Sequence, residues 1–190
     1  QLPYHPRLFL AISFAKSFAT GGGVIVFPDH ESKDLVRKCG STLTFSGPIQ
    51  PPMLGATLAS VKLHHTEDLP ILQENLRKRV SYFNQYAKER NIPLFSESDS
   101  PICFINVGMP EVGFNMVKRL KKAGFFTNLA VYPSVPYKNT GVRLTITNHL
   151  QLEDIKNVLD AIEYELPFAL SEENSSMEDV YHAFRKTQVH

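Results

Sequence analysis

The sequence predicts an α/β fold, and three observations carry that reading. From residue 102 to residue 166 the patterning runs strand, helix, strand, strand, helix, the alternation that builds a sheet with helices packed on one face. Ahead of this, Leu69 to Arg90 puts apolar residues at Leu72, Leu76, Val80, Phe83 and Ala87 on an otherwise charged segment, which is one long amphipathic helix. Near the start, two short apolar runs flank Gly21-Gly22-Gly23, the pattern of strand, loop, strand.

Each element follows from its own residues. Leu8 to Phe14 reads as a buried strand, and Val24 to Phe27 is a second strand stopped by Pro28. Residues 30 to 40 form a short helix ending at Gly40. Pro51-Pro52 opens a helix through Leu63, because proline suits a first helical turn. Asn91-Ile92-Pro93 ends the long amphipathic helix, and the polar stretch from Ser96 to Pro101 leads into a strand at Ile102 to Ile105, where a new domain begins. Glu111 to Lys122 is helical with Gly124 as its stop, Phe125 to Tyr132 is extended, Val142 to Thr147 is a strand, and Leu152 to Leu166 is a helix. After Pro167, Ser171 to Ser176 is a polar linker to a last helix at Met177 to Lys186.

Composition narrows the function. With 43% hydrophobic residues there is material for a packed core, and 20 Lys plus Arg against 19 Asp plus Glu leave no net field to draw the chain to nucleic acid or an anionic membrane surface. Any anion must therefore be gripped locally. No apolar run approaches the roughly 20 residues that span a bilayer, and Gln1 to Arg7 is not a signal peptide. The start without Met, just ahead of a strand, suggests a chain taken from the middle of a longer protein. Cys39 and Cys103 match no metal-ligand spacing and read as reduced thiols of a cytosolic protein. His64, His65 and His149 lack a third patterned ligand, so no metal is assigned; they read as exposed or capping histidines.

Lys16 follows the first strand among Phe14, Ala15, Phe18 and Ala19, surroundings expected to desolvate an ammonium and favour a neutral, nucleophilic amine. Ser13, Ser17 and Thr20 supply hydroxyls for a phosphate, and the glycines allow close backbone approach. By itself a lysine at a strand end is an ordinary solvated charge. A P-loop is set aside, since no helix follows the glycines and the Gly-x-x-x-x-Gly-Lys pattern is missing.

Taken together, Ser13 to Gly23 resembles the cofactor-lysine motif of class II pyridoxal phosphate (PLP) transferases, in the α-oxoamine synthase group. Ala15 and Ala19 replace the commoner Ser or Gly. The resemblance implies that Lys16 bonds the cofactor and that Ser13 helps hold its phosphate. Thr44-Phe45-Ser46-Gly47-Pro48-Ile49-Gln50-Pro51-Pro52 is similar to the family segment that reaches across a dimer to the partner's cofactor phosphate, which assigns that contact to Ser46. Its other reading is a polar turn before a helix. The family's late Arg-x-Arg strand is matched by Gly141 to Thr147, with Arg143 at the position that grips the substrate carboxylate and Gly141 where the first Arg stands. Alternation puts Arg143, Thr145 and Thr147 on one strand face, and a guanidinium on a rigid strand offers a carboxylate two parallel hydrogen bonds. A surface ion pair is the alternative role. Tyr132 to Pro136 resembles the family's proline-rich approach to this strand.

The implied fold is a fold-type I PLP transferase: the end of the large domain plus a small C-terminal α/β domain. Residues 1–62 are then the end of the large PLP-binding domain, 63–92 the connecting helix, 93–170 the small domain, and 171–190 a linker and helical tail. The implied activity is condensation of an amino acid with an acyl-CoA, with decarboxylation, to an α-aminoketone by a cytoplasmic homodimer whose active site lies at the subunit interface. The family's pyridine-pairing Asp and ring-stacking residue fall upstream of the lysine, so the 190 residues alone are expected to be inactive. An aminotransferase uses the same lysine and arginine equally well, and a noncatalytic dimerisation or ligand-binding domain of this fold is the third reading. The Lys118-Arg119-Lys121-Lys122 run is read as the outer face of an amphipathic helix, with a CoA phosphate as its other possible contact.

Overall fold

The computed structural model describes residues 5–185, and the chain divides into two compact units, Gln1–Leu69 and Pro70–His190. In the first, β1 (Leu10–Ser13) pairs antiparallel with β2 (Gly23–Val26), with Ser13 opposite Gly23. Next come α1 (His30–Cys39), a single turn α2 (Ser41–Thr44) and α3 (Pro51–Leu63). Asp29 caps α1, accepting from the Ser32 amide at 2.7 Å, and this bond with that from the Ser32 hydroxyl holds its carboxyl below the usual range. Gly40 ends α1 as its sequence suggests, but the chain turns straight into α2 there.

The expectation of a buried first strand is corrected. Leu10, Val24, Ile25 and Val26 are all exposed, so both faces of this two-stranded ribbon meet solvent in the structure. A two-stranded ribbon has too little surface to shield itself.

The second unit carries the core. The long helix α4 (Asp68–Glu89) buries Val80, Phe83 and Ala87, which are among the residues its periodicity predicts. The three-stranded sheet has the order β3 (Ile102–Gly108), β5 (Thr140–Thr145), β4 (Asn128–Ala130), with both pairings antiparallel and β5 central. Cys103, Ile105 and Val107 alternate to the buried face. They join one cluster with Val112, Met116 and Leu120 of α5 (Pro110–Lys122) and Ile155, Leu159 and Ile162 of α6 (Leu152–Glu172).

The sequence predicts a helix ending at Leu166, before Pro167, yet α6 continues through Pro167 to Glu172. Pro167 is exposed, while Leu166, Ala169 and Leu170 extend the buried stripe on the other side. A mid-helix proline costs about 3 kcal/mol, and beyond it the helix buries Leu170, worth roughly 1.5–3 kcal/mol, together with Ala169, which offsets much of that cost. The linker is correspondingly shorter, and α7 (Met177–Ala183) starts at Ser176, whose hydroxyl accepts from the Asp179 amide in a capping box. The helical end expected at Lys186 lies outside the described residues, as do residues 1–4 of the amino-terminal stretch. Within the basic run of α5, Arg119 pairs with Glu165 and Glu172 of α6, so this charge ties two helices together.

No helix among the described residues is long and apolar enough to cross a membrane.

Candidate active site

Lys16 stands on the loop joining β1 to β2. That loop is closed at its base by the Phe14 amide donating to the Gly22 carbonyl at 3.0 Å and the Thr20 amide donating to the Phe14 carbonyl at 3.0 Å. The Ala19 amide bonds the Lys16 carbonyl at 2.8 Å, turning the chain sharply just after the lysine. Gly22 has φ of 81°, a conformation glycine adopts without penalty. Ala19, at φ 54°, holds a similar left-handed conformation with a side chain in the way, which locates the strain where this sequence departs from the family motif.

The loop is anchored on α3. The Thr20 and Thr57 hydroxyls are hydrogen-bonded at 2.9 Å; Thr57 also meets the Met53 carbonyl at 2.8 Å and Thr20 the Phe14 carbonyl at 3.4 Å. Thr20 is therefore engaged within the protein rather than free to meet a phosphate, a correction to the sequence reading. Ser13 Oγ accepts from the Ala15 amide at 3.3 Å, which leaves its hydroxyl hydrogen to donate outward. Phe18 does not cover Lys16; it stacks on His64 at 4.5 Å between ring centroids, while His64 Nδ1 meets the Ser60 carbonyl at 2.7 Å as α3 ends. His64 is thus a capping histidine, and among the described residues no three metal-ligating side chains gather.

The expected desolvation of Lys16 is not found in this chain: Lys16, Ala15 and Ala19 are exposed. Among the described residues no carboxylate pairs with the amine. Ser13 and Lys16 are brought together on one short loop. Ser46 is exposed in the segment between α2 and α3, next to Phe45, which is 90% exposed.

Arg143 belongs to the second unit, at the centre of β5, with Phe104 of β3 and Asn128 of β4 as its cross-strand partners. Directly paired residues share a face, so Arg143, Phe104 and Asn128 project from the side opposite the buried Cys103, Ile105 and Val142. The guanidinium is exposed on a strand held from both sides. A cleft of 430 Å³ adjoins it, lined also by Thr127, Asn128 and Thr145. Thr127 is buried with its hydroxyl lacking a partner among the described residues, a polar group that no sequence motif singles out.

Phe104 explains Gly141. Its ring lies over that glycine so closely that a Cβ there would come within 2.0 Å of Phe104 Cε1 and 2.6 Å of the Ile105 carbonyl oxygen. An arginine at position 141 has no room in this strand.

The layered small domain and the lysine hairpin define a class: the fold is that of the fold-type I PLP-dependent transferases. A serine palmitoyltransferase structure with PLP as its internal aldimine superimposes with a TM-score of 0.74 at 22% identity, covering 85% of this chain and 40% of its own. The relatives in sequence are α-oxoamine synthases. A serine palmitoyltransferase of Sphingobacterium spiritivorum is 29% identical over 134 residues, 70% of this chain and 33% of that protein. An 8-amino-7-oxononanoate synthase of Klebsiella pneumoniae (strain 342) is 25% identical over 153 residues, 80% of this chain and 39% of that protein. The chain thus spans between about a third and two-fifths of the curated relatives it matches. No family model matches it.

Proposed function

We propose that this chain supplies the cofactor-bonding lysine and the carboxylate-gripping arginine of a PLP-dependent acyltransferase that condenses an amino acid with an acyl-CoA, releasing CO2 and an α-aminoketone. The observation that carries the reading is the hairpin. It presents Lys16 and Ser13 on one pinned loop, in the order of the family motif that Ser13 to Gly23 resembles, with the strand bearing Arg143 later in the chain.

The residues fit the cofactor. An exposed amine that no described carboxylate pairs suits condensation with an aldehyde, and the outward hydroxyl of Ser13 and the backbone near Gly21 and Gly22 suit a phosphate. When bound, PLP supplies that aldehyde and a sink for the charge left by loss of the α-proton. Lys16 holds the cofactor at rest and, once displaced by the amino acid, takes the α-proton at Nζ. Arg143 orients the substrate through its carboxylate with paired N–H bonds. Full reactivity of Lys16 requires cover that removes water from the loop, and we assign that cover to parts of the longer protein. Ser46, exposed on its own chain, is assigned to the partner's cofactor phosphate in a homodimer. Residues 1–62 then belong to the large domain and 93–170 to the small one, with 63–92 between them.

Two substitutions in the full-length enzyme test this. Lys16→Ala is expected to lower amino-acid-dependent CoA release by more than about a hundredfold. Arg143→Lys is expected to raise the amino acid's KM about 10- to 100-fold, since one forked contact to a carboxylate is lost. Release of CoA and CO2 together identifies the acyltransferase; turnover that needs an oxo-acid acceptor and frees no CoA identifies an aminotransferase instead.

A further inference from the structure

Beside Arg143, on the same face of the sheet, lies an open apolar trough of 660 Å³. Its floor is Ile102 and Phe104 of β3, and these two residues pair directly with Thr145 and Arg143. One wall is a cluster of three rings: Phe95 lies 6.0 Å from Phe104 and 6.1 Å from Phe184, and Phe104 lies 6.4 Å from Phe184. Val135 and Pro136 form the other, and this loop is tied to the end of α7 by Asn139 Nδ2 donating to the Ala183 carbonyl at 3.0 Å. Both walls are thereby fixed.

Among the described residues the lining carries no charged side chain. Its polar members are three serines and Asn139; the Ser98 and Ser100 hydroxyls accept from the Ser100 and Ile102 amides at 3.2 Å, which turns them to their own backbone. Phe95 and Ile102 remain more than half exposed, so the trough offers apolar surface that gains by being covered. On the sheet floor Arg143 lies across a single strand pairing from Phe104. A ligand that puts an anionic group on Arg143 and an alkyl group alongside it matches this layout, and a chain with a second, terminal carboxylate matches it less well, because that anion would lie against apolar rings with no cation among the described lining residues.

We infer that the trough over Ile102 and Phe104 receives the alkyl chain of the acyl-CoA donor and selects chains that end in methyl over chains that end in carboxylate. This rests on the acyltransferase reading and names its donor class. The amino acid held by Arg143 and the thioester it attacks must meet within bonding distance, so the chain beyond the thioester has to run from that point along a neighbouring surface. The trough is one such apolar surface, since its floor residue Phe104 pairs directly with Arg143.

The test uses the full-length, PLP-loaded enzyme with glycine, L-alanine and L-serine, a series of straight acyl-CoA donors of four to sixteen carbons, and donors of matched length ending in a carboxylate. CoA release is followed. The donor KM is expected to fall about threefold per methylene until the trough is filled, with carboxylate-ended donors at least about tenfold poorer in kcat/KM than methyl-ended ones. Val135→Trp, which fills the trough from a loop, is expected to shift the preferred length downward, and Ser96→Lys to improve carboxylate-ended donors relative to methyl-ended ones. A KM independent of length, or a length preference unchanged by Val135→Trp in protein that folds, overturns the inference; should that variant fail to fold, an unchanged ratio in Ser96→Lys does so. If no donor releases CoA, the acyltransferase reading has failed separately. Calorimetric binding of dodecanoyl-CoA then decides the trough: weaker binding to Val135→Trp than to wild type supports it, and equal binding overturns it.

Discussion

The lysine hairpin and the arginine sheet are both small antiparallel arrangements, but only one has a core. β5 lies between two strands, backed by side chains such as Leu159 and Ile162 that are fully buried. β1 and β2 have each other, and Leu10, Val24 and Val26 remain exposed beside the loop that bears Lys16. Chemistry placed on the sheet is held by the packing of its own unit. Chemistry placed on the hairpin depends on hydrogen bonds within the loop and on the Thr20 to Thr57 anchor, and needs further apolar cover before its lysine can lose water.

Core truncation should expose that difference most strongly. Phe83→Ala, in the buried stripe of α4, is expected to cost about 3–5 kcal/mol in the unfolding of the second unit. Leu10→Ala, on the exposed ribbon of this 190-residue chain, is expected to cost less than about 1 kcal/mol. Chemical denaturation of the two variants gives the comparison directly. Equal costs would mean that the ribbon is packed as tightly as the helical stripe, and the contrast would be lost.

What could be read in the sequence follows the same division. The proline pair marks the start of α3, apolar spacing marks α4 and the basic, amphipathic α5, and alternation puts Arg143 on a strand face. Burial was another matter. An apolar run such as Leu8 to Phe14 reports what a segment can cover, and whether a covering partner exists depends on contacts that strand periodicity does not encode. The passage of α6 through Pro167 was hidden because a local breaker outweighs, on inspection, the distant apolar residues that reward continuing. Thr20 looked like a phosphate ligand because its partner Thr57 is 37 positions away and carries no motif of its own. The crowding of Phe104 on Gly141 likewise belongs to strand register and is invisible along the chain.

That crowding provides an intermediate effect. Gly141→Ala is expected to destabilise the second unit by about 1–3 kcal/mol, the range for forcing extra carbon into a packed site. Adding Phe104→Leu should recover part of the loss by removing the ring atoms, and not all of it, because the Ile105 carbonyl oxygen still lies 2.6 Å from the new Cβ position. A double-mutant cycle measures the coupling. Strict additivity of the two changes would show that the ring does not press on residue 141.

The weakest contrast is carried by the two thiols, one in each unit. Cys39 is exposed on α1, whereas Cys103 is buried on β3, where burial pushes its thiol up to about 11 from a usual value of 9.0. Near pH 8, a thiol reagent is expected to modify Cys39 in the folded chain and to reach Cys103 only after denaturation. The sign of the pH effect follows from proton counting. Between about 9 and 11 the unfolded thiol has released its proton while the folded one keeps it, so the native state binds more protons and stability falls as pH rises. The slope from one such group cannot exceed about 1.4 kcal/mol per pH unit, and lysines and tyrosines titrate nearby. The useful quantity is therefore the difference between wild type and Cys103→Ala. The variant starts lower because it leaves a small cavity, and its stability should decline less steeply across this window; parallel declines would place the Cys103 thiol in water and contradict its position in the core.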